Sequence, residues 1–384
     1  MKQKKSVSFE TYAILIIIIA GFWALGNVMG IGNLFNTIMN TAHDLLINTV
    51  FFIMAISVVT GAISSLLAEF GVISLLNKVI SPLMRPLYGL PGAASLGVVS
   101  TFVSDNPAIL SLAKNNGFIK YFKEYQTPAL CNLGTSFGMG MILVTYMMGL
   151  GGDGIISAAI IGVLGACVGS VVSVRIMLSK TKKYYNISKE ESKKDHSRKA
   201  DTSESDEMRE VHGSTMERVL NSILEGGKTG VQLGIDIIPG VLCICTFVMI
   251  LTFGAPADGI YTGAAYEGVG LLPKLGEFIS PLTALLFGFK DPSNIAFPIT
   301  SLGATGAAMA LVPKMLETGA AGMNEIAVFT AIGMCWSGYL STHISMMDAL
   351  GRRQFIKDAI ISHTIGGLCA GIAAHYLFLL FSLI

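Results

Sequence analysis

The sequence predicts an all-α integral membrane protein built from two inverted-topology repeats, each with a re-entrant, broken helical hairpin. Three observations predict it. The chain of 384 residues is 52% hydrophobic and only 13% charged, where a soluble domain carries about a quarter charged residues. Its apolar residues fall in blocks long enough to span a bilayer, with a mean hydropathy of +0.64. Finally, the two halves share residues at a constant offset of 199. Glycine is abundant, with 43 residues against 12 prolines; in lipid this lets helices approach closely and lets a chain break where it lines a cavity. A net charge of +1 gives no reason to expect nucleic acid as a partner.

The first apolar run, from about Tyr12 to Met29, follows Lys2, Lys4 and Lys5. It is long enough to span, and no small-residue cleavage pattern ends it, so it is read as a permanent helix rather than a signal peptide. Spanning segments are expected at 45–68, 126–150, 155–179, 229–254, 325–347 and 359–383. Two less regular apolar regions, 80–116 and 279–313, are rich in Gly, Ser, Thr and Pro. The organisation expected is an N-terminal membrane helix (1–44), a first repeat (45–179), a charged linker (180–218) and a second repeat (219–384). The linker runs from Lys180, Lys182 and Lys183 to Glu204, Asp206, Glu207 and Glu210, and it lacks apolar residues to bury. By the positive-inside rule the linker and the N-terminus are cytoplasmic, in a multi-pass protein of the cell's inner (plasma) membrane.

At the offset of 199, Ile80-Ser81-Pro82-Leu83 falls on Ile279-Ser280-Pro281-Leu282, Gly89 on Gly288, Thr101 on Thr300 and Met147-Met148 on Met346-Met347. The charge bias runs the matched segments in opposite directions, which is the mark of an inverted repeat. Such repeats place a substrate site near the midplane, where interrupted helices meet. The breaks expected here are Val103-Ser104-Asp105-Asn106-Pro107 and Gly288-Phe289-Lys290-Asp291-Pro292-Ser293-Asn294, each with a helix-start signature beside proline. A half-helix start exposes N–H groups and a partial positive charge to a solute, and freed carbonyls can hold a cation.

The candidate substrate-binding residues are Asp105, Asn106, Asn132, Thr135, Ser136, Lys290, Asp291, Ser293, Asn294, Thr300 and Ser337, with Asp105, Asp236 and Asp291 as candidate ion-coupling acids. Asp105 is costly to ionise in an apolar region, so it is either a ligand or proton/sodium site, or the N-cap of the hairpin's second arm, or both. Lys290 and Asp291 either face a solute or neutralise one another at a surface. The hydroxyls of Thr135, Ser136, Ser337 and Ser341 either meet a ligand or bond a carbonyl of the preceding turn. Asp236 is a coupling-ion ligand or a partner of Lys228. His343 and Asp348 are placed near the cytoplasmic end of their helix, and His363 and His375 are read as helix-interface residues.

Gly134-Thr135-Ser136-Phe137-Gly138 matches a GxSxG pattern, but a nucleophile elbow needs a strand before it, and this run lies in a membrane helix. No enzyme activity and no cofactor are expected. All six cysteines lie in apolar stretches without CxxC spacing and are read as small buried hydrophobes.

Glu225-Gly226-Gly227-Lys228-Thr229-Gly230, followed by Gly234-Ile235-Asp236-Ile237-Ile238-Pro239-Gly240, resembles the start of a gate domain. That domain is shared by concentrative nucleoside transporters, the membrane part of ferrous-iron transport protein B, and spore maturation proteins A and B. The halves resemble A-type and B-type spore maturation proteins fused in one chain. The resemblance implies a transporter-like fold with two re-entrant hairpins, and a homo-oligomer. It does not place the nucleoside transporters' acidic and amide ligands on residues of this chain. The function expected is secondary transport of a small polar solute, nucleoside-like or another small organic molecule, coupled to Na⁺ or H⁺ by alternating access. The alternatives are a divalent-metal permease drawing ligands from Asp105, Asp291, Cys335, His343 and methionines, and a non-transporting membrane scaffold in a developmental process such as sporulation.

Overall fold

The computed structural model describes residues 6–187 and 213–382. Among the described residues there is no strand; six helices are long and apolar enough to cross a membrane, and a seventh span is formed if a pair bent by 78° counts as one. The protein is a multi-pass, all-α membrane protein. Helix α1 (Phe9–Met29) is apolar on every side and almost wholly exposed, as a helix facing acyl chains must be. Helix α2 (Ile31–Glu69) follows after Gly30 and contains one π-helical turn at Leu45–Val50. This single bent helix crosses the boundary expected at residue 44.

The first repeat contains α3 (Val72–Leu83), which ends in a π turn (Met84–Tyr88), then the hairpin arms α4 (Ala94–Val103) and α5 (Asn106–Lys114). A broken helix follows, α6 (Thr127–Thr135) and α7 (Gly140–Gly149), then the long α8 (Ile155–Tyr184). Helix α9 (Thr215–Thr252) leads into the second repeat. There α10 (Leu271–Phe287) and α11 (Pro292–Gly303) form the bent pair. They are followed by α12 (Thr305–Met309), α13 (Val312–Glu317), the broken helix α14 (Met323–Trp336) and α15 (Tyr339–Ala349), and α16 (Arg353–Phe381). The helices reach into both ends of the expected linker, since α8 runs to Tyr184 and α9 starts at Thr215; residues 188–212 lie outside the described residues.

From Val72 onward the offset of 199 holds well beyond the shared tetrapeptide. Gly89 and Gly288 both end a helix in the left-handed conformation, with φ +73° and +69°. Met139 and Gly338 both interrupt a helix with positive φ, +51° and +66°. The segment expected as one span at 325–347 is therefore broken at Ser337–Gly338, as 126–150 is broken at Ser136–Met139.

The inversion is visible in how equivalent helices meet. Helices α8 and α16 correspond at the offset and pack antiparallel, with Gly165 against Ala370 and Ala374, Gly169 against Gly366 and Ala370, and Gly366 against Ser173. Two copies of one helix can cross antiparallel at equivalent residues only if the copies are inverted. A Cβ on Gly169 would lie 2.4 Å from the Gly366 carbonyl oxygen, so the crossing needs glycine there. Helices α2 and α9 form a second close antiparallel pair, in which a Cβ on Gly61 would lie 2.4 Å from the Gly226 oxygen and one on Gly230 would lie 2.3 Å from the Ser57 oxygen.

Gly169→Ala is expected to destabilise the protein by about 1–3 kcal/mol, because the backbone of α16 must move to admit the methyl group. Gly21→Ala on α1, where nothing lies within 4 Å, should leave the thermal midpoint in detergent unchanged or slightly raised. Equal effects of the two substitutions would contradict this account of the helix crossing.

Candidate functional site

Four helix interruptions converge on one cleft of about 380 Å³. Asp105 and Asn106 come from the tip between α4 and α5, and Met139 from the break between α6 and α7. Gly303, Ala304 and Thr305 come from the tip between α11 and α12, and Ser337 and Gly338 from the break between α14 and α15. Helix α15 adds Ser341, Thr342 and Ser345, and α9 adds Asp236 close to its π turn at Gly240–Cys245.

Each interruption frees backbone groups that lipid cannot satisfy, so side chains or a polar cleft must take them. Asp105 does so across the molecule. Its Oδ1 accepts the Met139 N–H at 2.8 Å and so caps α7 rather than its own helix α5, to which it makes no side-chain cap bond. The same oxygen accepts Asn106 Nδ2 at 3.1 Å. The N-terminal end of α7 favours negative charge at that position. Asp105 itself adopts φ +147°, a region L-residues avoid, and such strain collects at functional sites.

Asn106 joins the two repeats. Its Nδ2 also donates to Ser337 Oγ at 3.2 Å, while its Oδ1 is buried without a partner. Two glycines make the space for this amide: a Cβ on Gly138 would lie 2.5 Å from it, and one on Gly338 would lie 2.6 Å from it. Helix α15 packs on both α5 and α6, so the second repeat's broken helix supports the first repeat's tip. On the second tip, Thr305 Oγ1 donates to the Gly333 carbonyl at 3.1 Å, and no charged residue is present.

A second cavity, of about 280 Å³, borders the same tip through other residues. It is bordered by Val103 and Ser104 and by hydroxyls of α2 and α9, among them Ser64, Ser65 and Thr229. Ser64 Oγ donates to the Val103 carbonyl at 2.7 Å, which ties the tip to α2.

The remaining sequence candidates are distributed elsewhere. Thr135 and Ser136 donate to carbonyls of the preceding turn, at Cys131 and Asn132, and Thr300 does the same to Ala296. Ser136 is thus helix backbone chemistry and not a nucleophile on a strand-to-helix turn. Asn132 is fully buried and bridges α8 and α16 through Ser173 Oγ at 2.9 Å and the Ala359 carbonyl at 3.0 Å. Ser173 in turn bonds His363 Nδ1 at 3.0 Å, and His363 Nε2 meets the Cys335 carbonyl. His375 Nδ1 meets Asn324 Oδ1 at 2.7 Å. His343 is fully buried against the Tyr339 carbonyl, whereas Asp348 is exposed and paired with Arg353.

The segment 288–294 does not line the cleft. Asp291 caps the following turn through the Ser293 N–H at 2.8 Å, Asn294 Nδ2 holds the Ala320 carbonyl at 2.9 Å, and Lys290 is exposed. The cleft-lining break of the second half is Gly303–Ala304, which is where the offset of 199 carries Ser104–Asp105. It has neither proline nor an acidic residue to announce it. Asp236 accepts from Gln232 Nε2 at 2.8 Å, and Lys228 pairs with Glu225 instead. The lining residues not singled out from the sequence include Met139, which contributes a backbone N–H, and Thr342 and Ser345; Ser345 lies one turn after Ser341 on the same helix face.

No family model matches the chain, and no characterised relative matches it in sequence. Solved structures of the concentrative nucleoside transporter CNTnw do match it in fold. A double variant of CNTnw in an outward-facing state gives a TM-score of 0.52 at 15% identity, covering 95% of this chain and 84% of that one. CNTnw in an inward-facing substrate-bound state gives a TM-score of 0.50 at 16% identity, covering 97% and 94%. The chain has a nucleoside-transporter-like fold.

Gly138→Ala should destabilise by about 1–3 kcal/mol by driving a methyl group into the Asn106 amide. Adding Asn106→Ala should recover most of that loss, so the two changes are strongly non-additive in thermal unfolding. Simple additivity would contradict the packing of Asn106 between the breaks.

Proposed function

We propose that this protein is a secondary transporter of a small polar organic solute of nucleoside type, working by alternating access and coupled to a monovalent cation at Asp105. The observation that carries the reading is the carboxylate of Asp105: it is held by the broken-helix N–H of Met139 and borders the cleft where both repeats' interruptions meet. A scaffold without transport would have no use for a wet cleft at that junction, because lining it with interrupted backbone is costly in lipid.

The tip that carries Asp105 borders two cavities, and in this reading a small movement of that tip changes the route by which the cleft is reached. CNTnw, whose fold this chain shares, is known in outward-facing and inward-facing substrate-bound states, which supports alternating access here. In this reading Na⁺ or H⁺ meets the Asp105 carboxylate and neighbouring carbonyls freed at the tip, and the solute occupies the hydroxyl-lined part of the cleft beside Ser337 and Ser341. The N-terminus and residues 180–218 face the cytoplasm of a plasma membrane, and the working form is a homo-oligomer.

The metal-permease alternative loses its donor set in this arrangement, since Cys335 and His343 are packed in the core and Asp291 is a helix cap. Asp105→Asn keeps the shape and the bond from Met139 but removes the charge. In proteoliposomes with an inward Na⁺ or H⁺ gradient it should reduce gradient-driven uptake at least tenfold, the size of one lost charge-assisted interaction. Asp291→Asn should leave that uptake within about twofold. Wild-type uptake by Asp105→Asn would refute the role given to Asp105.

A further inference from the structure

Resting on that transporter reading, the cleft's charge bears on the solute itself. Two carboxylates border the same 380 Å³, Asp105 from the hairpin tip and Asp236 from α9. Among the described residues no lysine, arginine or histidine lines it. Asp236 receives one neutral hydrogen bond, from Gln232, and Lys228, the nearest cation before it on α9, is committed to Glu225 at 2.6 Å. A carboxylate in a membrane cleft calls for a positive partner, because the surroundings hydrate charge poorly. One coupling cation at Asp105 compensates one of the two charges and leaves Asp236 over.

Asn106 points the same way independently. Its side chain is 7% exposed, both interactions found for it are made by Nδ2, and its Oδ1 is a buried acceptor without a donor at the edge of the cleft. A buried acceptor left unmade is unfavourable, so it marks a place for a hydrogen-bond donor. An anion would add like charge beside the two carboxylates, and a neutral solute offers donors but no charge to balance Asp236. We propose that the solute carries a positive charge, as an organic ammonium or protonated amine, with Asp236 as its counter-ion and Asn106 Oδ1 among its acceptors.

The test uses purified full-length protein and two readouts. Thermal shift at pH 7 is measured with choline, agmatine, tyramine and 5′-amino-5′-deoxyuridine, and with uridine and uridine 5′-monophosphate as neutral and anionic comparators. Stabilisation is expected from members of the cationic set and not from the monophosphate. In Asp236→Asn the concentration giving half the shift should rise at least tenfold, the size of one charge-assisted contact, while stabilisation by sodium chloride is retained. Asp236 is exposed and bonded only to Gln232, so this variant should fold normally. The proposal is overturned if no cation of the set stabilises, or if uridine matches its amino analogue, or if the Asp236→Asn variant responds to the cations as the wild type does. Uptake of the stabilising cation into proteoliposomes is scored separately: binding without uptake would sink the transporter reading and leave the cation site standing.

Discussion

A helix that stops inside a bilayer leaves N–H and C=O groups that acyl chains cannot satisfy. This protein has four such stops and gathers them at one place. The partners they find are few and specific. Asp105 caps α7 from the opposite hairpin, Asn106 reaches Ser337 in the other repeat, and Thr305 takes the carbonyl of Gly333. Moving any one tip therefore disturbs the backbone of another element, and the two repeats are tied together through the lining of the cleft.

The repeats are equal in backbone and unequal in chemistry. Met139 and Gly338 hold equivalent positions with positive φ, yet the polar groups around them are divided. The first repeat supplies the acid and the amide on its hairpin tip. The second supplies hydroxyls on its broken helix and a bare Gly303–Ala304 tip. An inverted backbone thus gives two similar gates, while substitution has given them different work: charge on one, hydrogen-bonding capacity beneath the other. The antiparallel crossings at Gly169 and Gly366, and at Gly61 and Gly226, bring the helix backbones themselves into close contact.

Much of this was legible in the sequence, and the failures are instructive. The offset of 199 is carried by Ile80-Ser81-Pro82-Leu83 and its counterpart, and it predicts the register of every later helix. The first tip was marked by Asp105 and Asn106 beside proline, a helix-start signal with a charge in an apolar run. The second tip was misplaced because Asp291-Pro292 gives the same signal more strongly than Gly303–Ala304 does. Asp291-Pro292 is a true helix start, but it begins the hairpin arm rather than the tip. Carrying the offset through Ser104–Asp105 would have located the tip without any motif.

Met139 could not be found by residue type, since it acts through its backbone N–H. Asn132 was legible as an expensive buried amide but not as a bridge between α8 and α16, because its partners Ser173 and Ala359 lie far along the chain. Hydroxyls at the midplane carried little information by themselves: Thr135, Ser136 and Thr300 satisfy nearby carbonyls, while Ser341 and Ser345, of the same residue types, border the cleft.

The central claim is that water reaches the junction of the four helix interruptions while the outer helices face lipid. Thiol labelling tests it most directly, in a background in which the exposed Cys243 is replaced by serine. A hydrophilic maleimide should modify Ser341→Cys in membranes and leave Ile17→Cys, exposed in the middle of α1, unmodified. An inert cysteine at 341 together with a reactive one at 17 would contradict the account.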